Sequence, residues 1–390
     1  MEIKYANTLC DLPPYIFAEI DKKKKELQEK GIDIISFGVG DPDEPTPDFI
    51  LKTMKLAIKK PEYHKYPFGK GLKIFREEVA SFYKRRFNVS LDPNSEVHAL
   101  IGSKEGLAHI TLAFLNPGDI ALCPEPGYPA YASSTIINKG KVFYMPLKEE
   151  NHFFPDFDKI PAEIVSKSKI MFLNSPNNPT ASVYKEEDFV KAINFAKKNN
   201  IILVHDAAYT EMYYDNKKPM SFLEVEGSRE VGVEFHSLSK TYNMTGWRIG
   251  FIVGNKDIIK GLEKIKDNFD SGVFSAIQET AAVAMREGDS FAEKMRSIYQ
   301  KRRDFFIKNM RNLGFKVTPP EASFYVWTKV PEGFSSSEFA EFLLDKCAIV
   351  VTPGNGFGPS GEGYIRFALT VSEKRMEEAF ERMSAIKFFE

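Results

Sequence analysis

From residue 119 to residue 268, short β-branched apolar runs alternate with amphipathic stretches of helical length. This alternation narrows the possible architectures more than any other feature. Strands are expected at 119–123, 141–145, 169–174, 201–205, 231–236 and 249–253, and helices at 128–138, 185–199 and 256–268. Strands that alternate with helices build a largely parallel sheet covered by helices on both faces. Upstream, helices are expected at 47–60 and 72–87, then a strand at 96–101 and a helix with Leu107, Ile110 and Phe114 on its apolar stripe. From about residue 286 the character changes. Helices at 289–313, 336–346 and 373–388 mix with strands at 323–328, 348–352 and 364–369. At 390 residues the chain exceeds the ~100–200 usual for one domain. The expectation is an α/β fold. A large, mostly parallel-sheet domain with α/β/α layering spans 48–285. A smaller α+β domain joins residues 1–47, with a helix at 14–30 and a strand at 34–37, to residues 286–390.

Composition removes several function classes. The net charge is −1, so neither nucleic acid nor an anionic membrane is attracted in general. The basic run Lys22–Lys25 is interleaved with Glu19, Asp21, Glu26 and Glu29 and reads as a solvated helix face. No apolar run approaches ~18 residues, and the start Met1-Glu2-Ile3-Lys4-Tyr5 lacks the apolar core of a signal peptide. Cys10, Cys123 and Cys347 are scattered and odd in number, which suits free thiols in a reducing cytoplasm. The histidines show no paired metal spacing. The pattern Gly356-Phe357-Gly358-Pro359-Ser360-Gly361 fits a bare dinucleotide motif. Pro359 interrupts it and a strand follows, so a glycine-rich hairpin or lid loop is expected instead.

Open α/β sheets bind ligands at the C-terminal ends of their strands, and chemistry-bearing residues gather there. After the strand ending near His236 comes Ser237-Leu238-Ser239-Lys240, followed by Gly246-Trp247-Arg248-Ile249-Gly250. A lone lysine after a strand is usually a surface charge. A lysine in a loop between two buried strands, near another cation, is placed to become a nucleophile. Ser237 and Arg248 suit a phosphate. Gly102-Ser103-Lys104-Glu105-Gly106 opens a helix after a strand, where free backbone N–H groups bind anions. Asp206 ends another strand, either as a helix N-cap or as a ligand carboxylate. In Tyr364-Ile365-Arg366-Phe367-Ala368-Leu369, alternation sends Ile365, Phe367 and Leu369 to one face and Arg366 to the other. Arg366 then needs a carboxylate, from the protein or from a substrate.

The run Ser237-Leu238-Ser239-Lys240 with Gly246-Trp247-Arg248-Ile249-Gly250 resembles the cofactor-lysine motif of the aspartate aminotransferase family, the class I and II pyridoxal-phosphate aminotransferases. The likeness extends over nearly the whole chain and implies that family's fold. It implies that Lys240 forms the Schiff base with pyridoxal phosphate and serves as catalytic base and acid. Ser103, Lys104, Ser237 and Arg248 would bind the phosphate and Tyr128 would stack on the ring. Asn178 in Asn174-Ser175-Pro176-Asn177-Asn178-Pro179 and Tyr209 in Asp206-Ala207-Ala208-Tyr209 would donate to the phenolate oxygen. Asp206 would pair with the ring nitrogen. The family's usual glycine after the threonine is Ala181 here. Gly40 and Arg366 would receive the substrate carboxylate, with Tyr128 and Asn178 also beside the substrate. In one branch of the family Tyr15 and Lys104 contact the substrate too. The resemblance further implies a homodimer in which Tyr66 crosses to the partner's cofactor phosphate. Amino acids and 2-oxo acids are the expected substrates. Aspartate or alanine as donor, or a β-lyase reaction on the same cofactor residues, remains compatible. A DNA-binding regulator on this fold would need an added domain, and the first 40 residues are too short for one.

Overall fold

The computed structural model describes residues 1, 3–13 and 16–389, with the backbone alone for residues 16–21 and 23. Among these the strands run β1 (Ile35–Ser36), β2 (Val97–Leu100), β3 (Ile120–Glu125), β4 (Lys141–Pro146), β5 (Ser168–Asn174), β6 (Ile202–Asp206), β7 (Gly232–Ser237), β8 (Gly250–Gly254), β9 (Tyr325–Lys329), β10 (Ile349–Val350), β11 (Thr352–Pro353) and β12 (Tyr364–Ala368). Seven form one sheet in the order β2-β8-β7-β6-β5-β3-β4. β8 is antiparallel to both its neighbours, and the other pairings are parallel. The sheet is therefore mostly parallel, and helices cover both faces.

Pleating divides the core between those faces. Phe172, Val204 and Phe235 point into one layer with Leu107, Ile110 and Leu262 from the helices Ser103–Phe114 and Lys256–Phe269. Met171, Leu173 and Leu203 point into the other, with Val79, Phe189 and Ala281. A separate cluster joins Ile35 and Phe37 to Phe306, Val326, Phe339, Ile365, Phe367 and Met376. There β1 pairs with β10, and β9, β12 and β11 form a three-stranded antiparallel sheet. The N-terminal segment thus packs with the last third of the chain. No helix among the described residues is long and apolar enough to cross a membrane.

Two local expectations change. The helix Ser275–Glu287 has no counterpart in the sequence reading. Ala276, Thr280, Ala281, Ala282, Ala284 and Met285 are buried around it, and only Glu279, Arg286 and Glu287 put charge on its narrow outer side, so the helical period is faint. The strand expected at 348–352 is two strands, β10 and β11, that turn to different sheets. The glycine-rich segment, expected as a hairpin or lid loop, joins the antiparallel neighbours β11 and β12 and so closes a hairpin, its loop holding two short 3-10 turns, Gly354–Phe357 and Pro359–Gly361.

Candidate active site

β7 delivers the central lysine. Ser237 caps the next turn: its hydroxyl accepts from the Ser239 amide at 3.2 Å, and Leu238–Thr241 coil into a single helical turn where a loop was expected. Lys240 stands on that turn. Its Nζ donates to the Gly40 carbonyl at 2.7 Å and lies 5.7 Å from the Phe324 ring centre. Burial lowers its pKa to about 8, helped by the charges of Arg366 and Arg248 and opposed by Asp41. An amine in that range is free often enough near neutrality to act as nucleophile and base.

An anion cradle lies beside it. The helix Ser103–Phe114 starts after Gly102, whose φ of 74° belongs to glycine. A Cβ on Gly102 would come within 2.5 Å of Arg248 Nη2. The missing side chain is what lets the guanidinium lie against the first turn of the helix. Arg248 itself has a left-handed backbone, φ 55°, and Nη1 donates to the Thr245 carbonyl at 2.9 Å. Such a conformation costs on the order of 1–3 kcal/mol and persists only where the surroundings impose it. Helix N–H groups, the helix dipole, Arg248 and the Ser237 hydroxyl converge on one point, a combination suited to a phosphate.

Across the cavity, Asp206 ends β6 and is 5 % exposed. Burial raises its pKa. The Tyr131 hydroxyl, donating at 2.8 Å, and the Ala208 amide oppose that shift. Tyr131 is fixed by stacking on Phe172 at 5.0 Å. Arg366, on β12, is fully buried. Its Nη1 donates to Asn178 Oδ1 at 2.7 Å and its Nη2 to the Gly38 carbonyl at 2.6 Å, with the guanidinium 4.1 Å from the Tyr325 ring centre. Tyr325 and Tyr209 hydroxyls meet at 2.9 Å. The Tyr325 hydroxyl also occupies the space a Cβ on Gly40 would take, so residue 40 has to be glycine.

These groups enclose about 290 Å³, lined by Gly40, Ser103, Lys104, Tyr128, Asn178, Asp206, Tyr209, Ser237, Lys240 and Arg248. Arg366 stands behind this wall and touches Asn178 and Tyr325, both of which line it. Tyr66 is elsewhere: it is 75 % exposed and stacks on Phe68 at 5.3 Å. Tyr15 lies outside the described residues. Tyr131, Tyr325 and Asp41 belong to the site and escaped the sequence reading. For Tyr131 a usable signal existed, since a buried tyrosine in the helix after a strand end needs a partner for its hydroxyl. Away from the cavity, Glu105, His109 and Asp270 converge as metal ligands do. The Lys266 ammonium bonds both Glu105 and Asp270 at 3.0 Å, so that cluster already holds a cation.

A family model described as aminotransferase class I and II matches residues 32–383. The chain is 53% identical over 385 residues to the LL-diaminopimelate aminotransferase of Nitratidesulfovibrio vulgaris (strain DSM 19637 / Miyazaki F), covering 98% of this chain and 99% of the relative. It is 50% identical over 384 residues to the enzyme of that name from Aquifex aeolicus, again covering 98% and 99%. Among solved structures, substrate-bound BacF from Bacillus subtilis superposes with a TM-score of 0.95 at 39% identity, covering 99% of this chain and 98% of that one. A single mutant of Thermus thermophilus aspartate aminotransferase superposes with a TM-score of 0.91 at 26% identity, covering 98% and 100%.

Proposed function

This chain belongs to the class I and II aminotransferases, enzymes that use pyridoxal phosphate, and on that premise we propose that it transfers an amino group from L,L-diaminopimelate to 2-oxoglutarate at the Lys240 cavity. The carrying observation for the chemistry is a lysine with lowered pKa between an anion cradle and a buried carboxylate. For the donor it is near-full-length likeness to relatives that bear that activity in their names.

The residues present fit the cofactor. Its phosphate suits the amides of Ser103 and Lys104, the Ser237 hydroxyl and Arg248. Its ring nitrogen suits Asp206, a carboxylate that burial penalises unless a cation or a donor faces it. Tyr128 offers an aromatic face, and Asn178 and Tyr209 offer donors for the phenolic oxygen. Bound there, pyridoxal phosphate supplies a conjugated ring that takes up the electron pair left when the substrate Cα loses its proton. Lys240 Nζ takes that proton as a free amine and returns it as an ammonium. Asp206 keeps the ring nitrogen protonated. Arg366, held behind the wall by Asn178 and the Gly38 carbonyl, would receive the α-carboxylate where it meets Asn178, with the Gly40 amide nearby, and so fix which Cα bond faces Lys240. Lys104 meets the distal carboxylate, and Tyr15 also contacts the substrate. Of the two acids that could meet the donor's distal amine, Asp267 and Asp270, Asp270 is already bonded by Lys266.

The enzyme acts as a cytoplasmic homodimer in this reading. Tyr66 and Phe68 at 75 %, Leu56 at 68 % and Phe269 at 63 % exposure are large apolar groups suited to a partner, and Tyr66 reaches the partner's phosphate. The core that joins Ile35 and Phe37 to the last third of the chain supports a small domain of 1–47 with 286–390 beside a large one at 48–285, with Tyr209, Met212 and Tyr214 of the large domain packed into it. The test is turnover of L,L-diaminopimelate with and without 2-oxoglutarate. Glutamate formed only when both are present is expected. Turnover with aspartate or alanine alone as donor would overturn the donor, and ammonia release without a 2-oxo acid would turn the reading to a β-lyase.

A further inference from the structure

Behind the strand that carries Asp206 lies a charged cluster that the proposed reaction does not use. β6 and β7 are parallel neighbours with His205 opposite Glu234, and both side chains are fully buried. His205 packs its ring on Phe189 and Phe222, on the face of the sheet opposite the cavity that Asp206 lines. Its Nδ1 lies 2.8 Å from Glu234 Oε2, and its Nε2 lies 3.1 Å from the Ser175 carbonyl oxygen. A carbonyl oxygen only accepts, so Nε2 carries a hydrogen. Glu234 is ringed by donors: the Tyr83 hydroxyl at 2.5 Å, the Ser221 hydroxyl at 2.8 Å and the Phe222 amide at 3.0 Å, with His236 Nε2 at 3.1 Å. Burial works against its ionisation, but the bonds from His205 and His236 outweigh that and hold the carboxyl well below the usual range. The Tyr83 and Ser221 hydroxyls and the Phe222 amide surround the Glu234 oxygens as donors surround a carboxylate, and a carboxylate only accepts, so Nδ1 of His205 carries a hydrogen as well.

A buried cation paired with a buried anion contributes little net stability over an apolar pair of the same shape. What this pair does is hold strand ends together. Ser175 opens the segment that carries Asn178, and Asn178 Oδ1 receives Arg366. The Ser175 amide donates to the Asp206 carbonyl at 3.3 Å. Glu234 lies on β7, three residues before Ser237. We propose that His205 is a buried imidazolium and a positioning residue: paired with Glu234, it locks the Asn178 segment to the strands that end in Asp206 and Ser237. This rests on the roles given above to Asn178, Asp206 and Lys240.

The first half is tested on the unaltered, cofactor-loaded enzyme. Nitrogen NMR with isotope-labelled histidine at neutral pH should show two slowly exchanging ring hydrogens on one residue, assigned to His205 by their loss in His205→Gln. A single ring hydrogen on His205 overturns the proposal. The second half is tested by Glu234→Gln, which keeps the shape and removes the charge. The KM for the amino donor should rise about tenfold or more, because Arg366 loses its fixed partner, while kcat changes less and the bound-cofactor absorbance persists. A purely structural role would lower the melting temperature and the yield and leave the KM of the folded enzyme unchanged; that result overturns positioning. If Glu234→Gln does not fold, His205→Gln keeps one N–H for Ser175, and the same rise in KM is required of it. Failure of the underlying reading looks different: Lys240→Ala would then keep turnover, whatever the state of the His205 ring.

Discussion

At the scale of single residues, the proposed chemistry turns on an amine and a guanidinium. Lys240 titrates near 8 because burial penalises its ammonium and two arginines add to the penalty. In protein freed of cofactor, the ammonium present below that value is no nucleophile and the amine above it is. The rate of cofactor capture should therefore climb as pH rises through about 8 and then level off. Stopped-flow absorbance reads this directly. A rate still climbing past roughly pH 10, where an ordinary lysine titrates, would contradict it. Lys240→Ala should abolish turnover and still bind cofactor without a covalent bond, and wild-type turnover would remove Lys240 from the mechanism. Arg366→Lys should raise the KM of every amino and 2-oxo acid by about tenfold or more, since an ammonium cannot reproduce the bidentate fork; unchanged kinetics would put the α-carboxylate elsewhere. Lys240, Ser237 and Arg248 were legible because they fall within one short stretch. Tyr131 and Tyr325 were not. They are two of 16 tyrosines, and what matters is which hydroxyl meets Asp206 or Tyr209, a contact between distant parts of the chain.

At the scale of elements, the site is a set of strand ends and the turns that follow them. Gly102 shows how tightly one turn is drawn. Gly102→Ala places a Cβ against Arg248 and forces a positive φ on a residue that disfavours it. Stability should fall by about 1 kcal/mol. Affinity for pyridoxal phosphate, measured by equilibrium dialysis, should fall much further, by about tenfold or more, because the guanidinium is displaced from the helix mouth. Equal affinity in the folded variant would contradict the cradle. The strand and helix alternation was readable because buried parallel strands and amphipathic helices leave different periods in a sequence. The helix Ser275–Glu287 was hidden for the converse reason. Mostly buried and rich in alanine, it shows only a narrow outer side with Glu279, Val283, Arg286 and Glu287, too little to print a clear period. The split between β10 and β11 was hidden because the apolar run Ile349 to Val351 continues through it.

At the scale of the whole molecule, the large sheet aligns the ends of β2, β3, β5, β6 and β7, and the small sheet brings Arg366 from far along the chain to meet Asn178. The proposed dimer makes its own prediction. Lys240→Ala and Tyr66→Ala chains should each be impaired alone. Mixed in one dimer they should regain activity, since one of the two sites would then have both its lysine and its crossing tyrosine. No recovery in purified mixed dimers would place Tyr66 outside the partner's site. In the proposed reaction this cavity takes nitrogen from L,L-diaminopimelate through a lysine-bound cofactor. Its most direct test is the visible absorbance of the purified, cofactor-loaded enzyme on adding one amino acid at a time. A yellow band should be lost with L,L-diaminopimelate or glutamate and barely change with aspartate or alanine. A band that persists with diaminopimelate and vanishes with aspartate or alanine would contradict it.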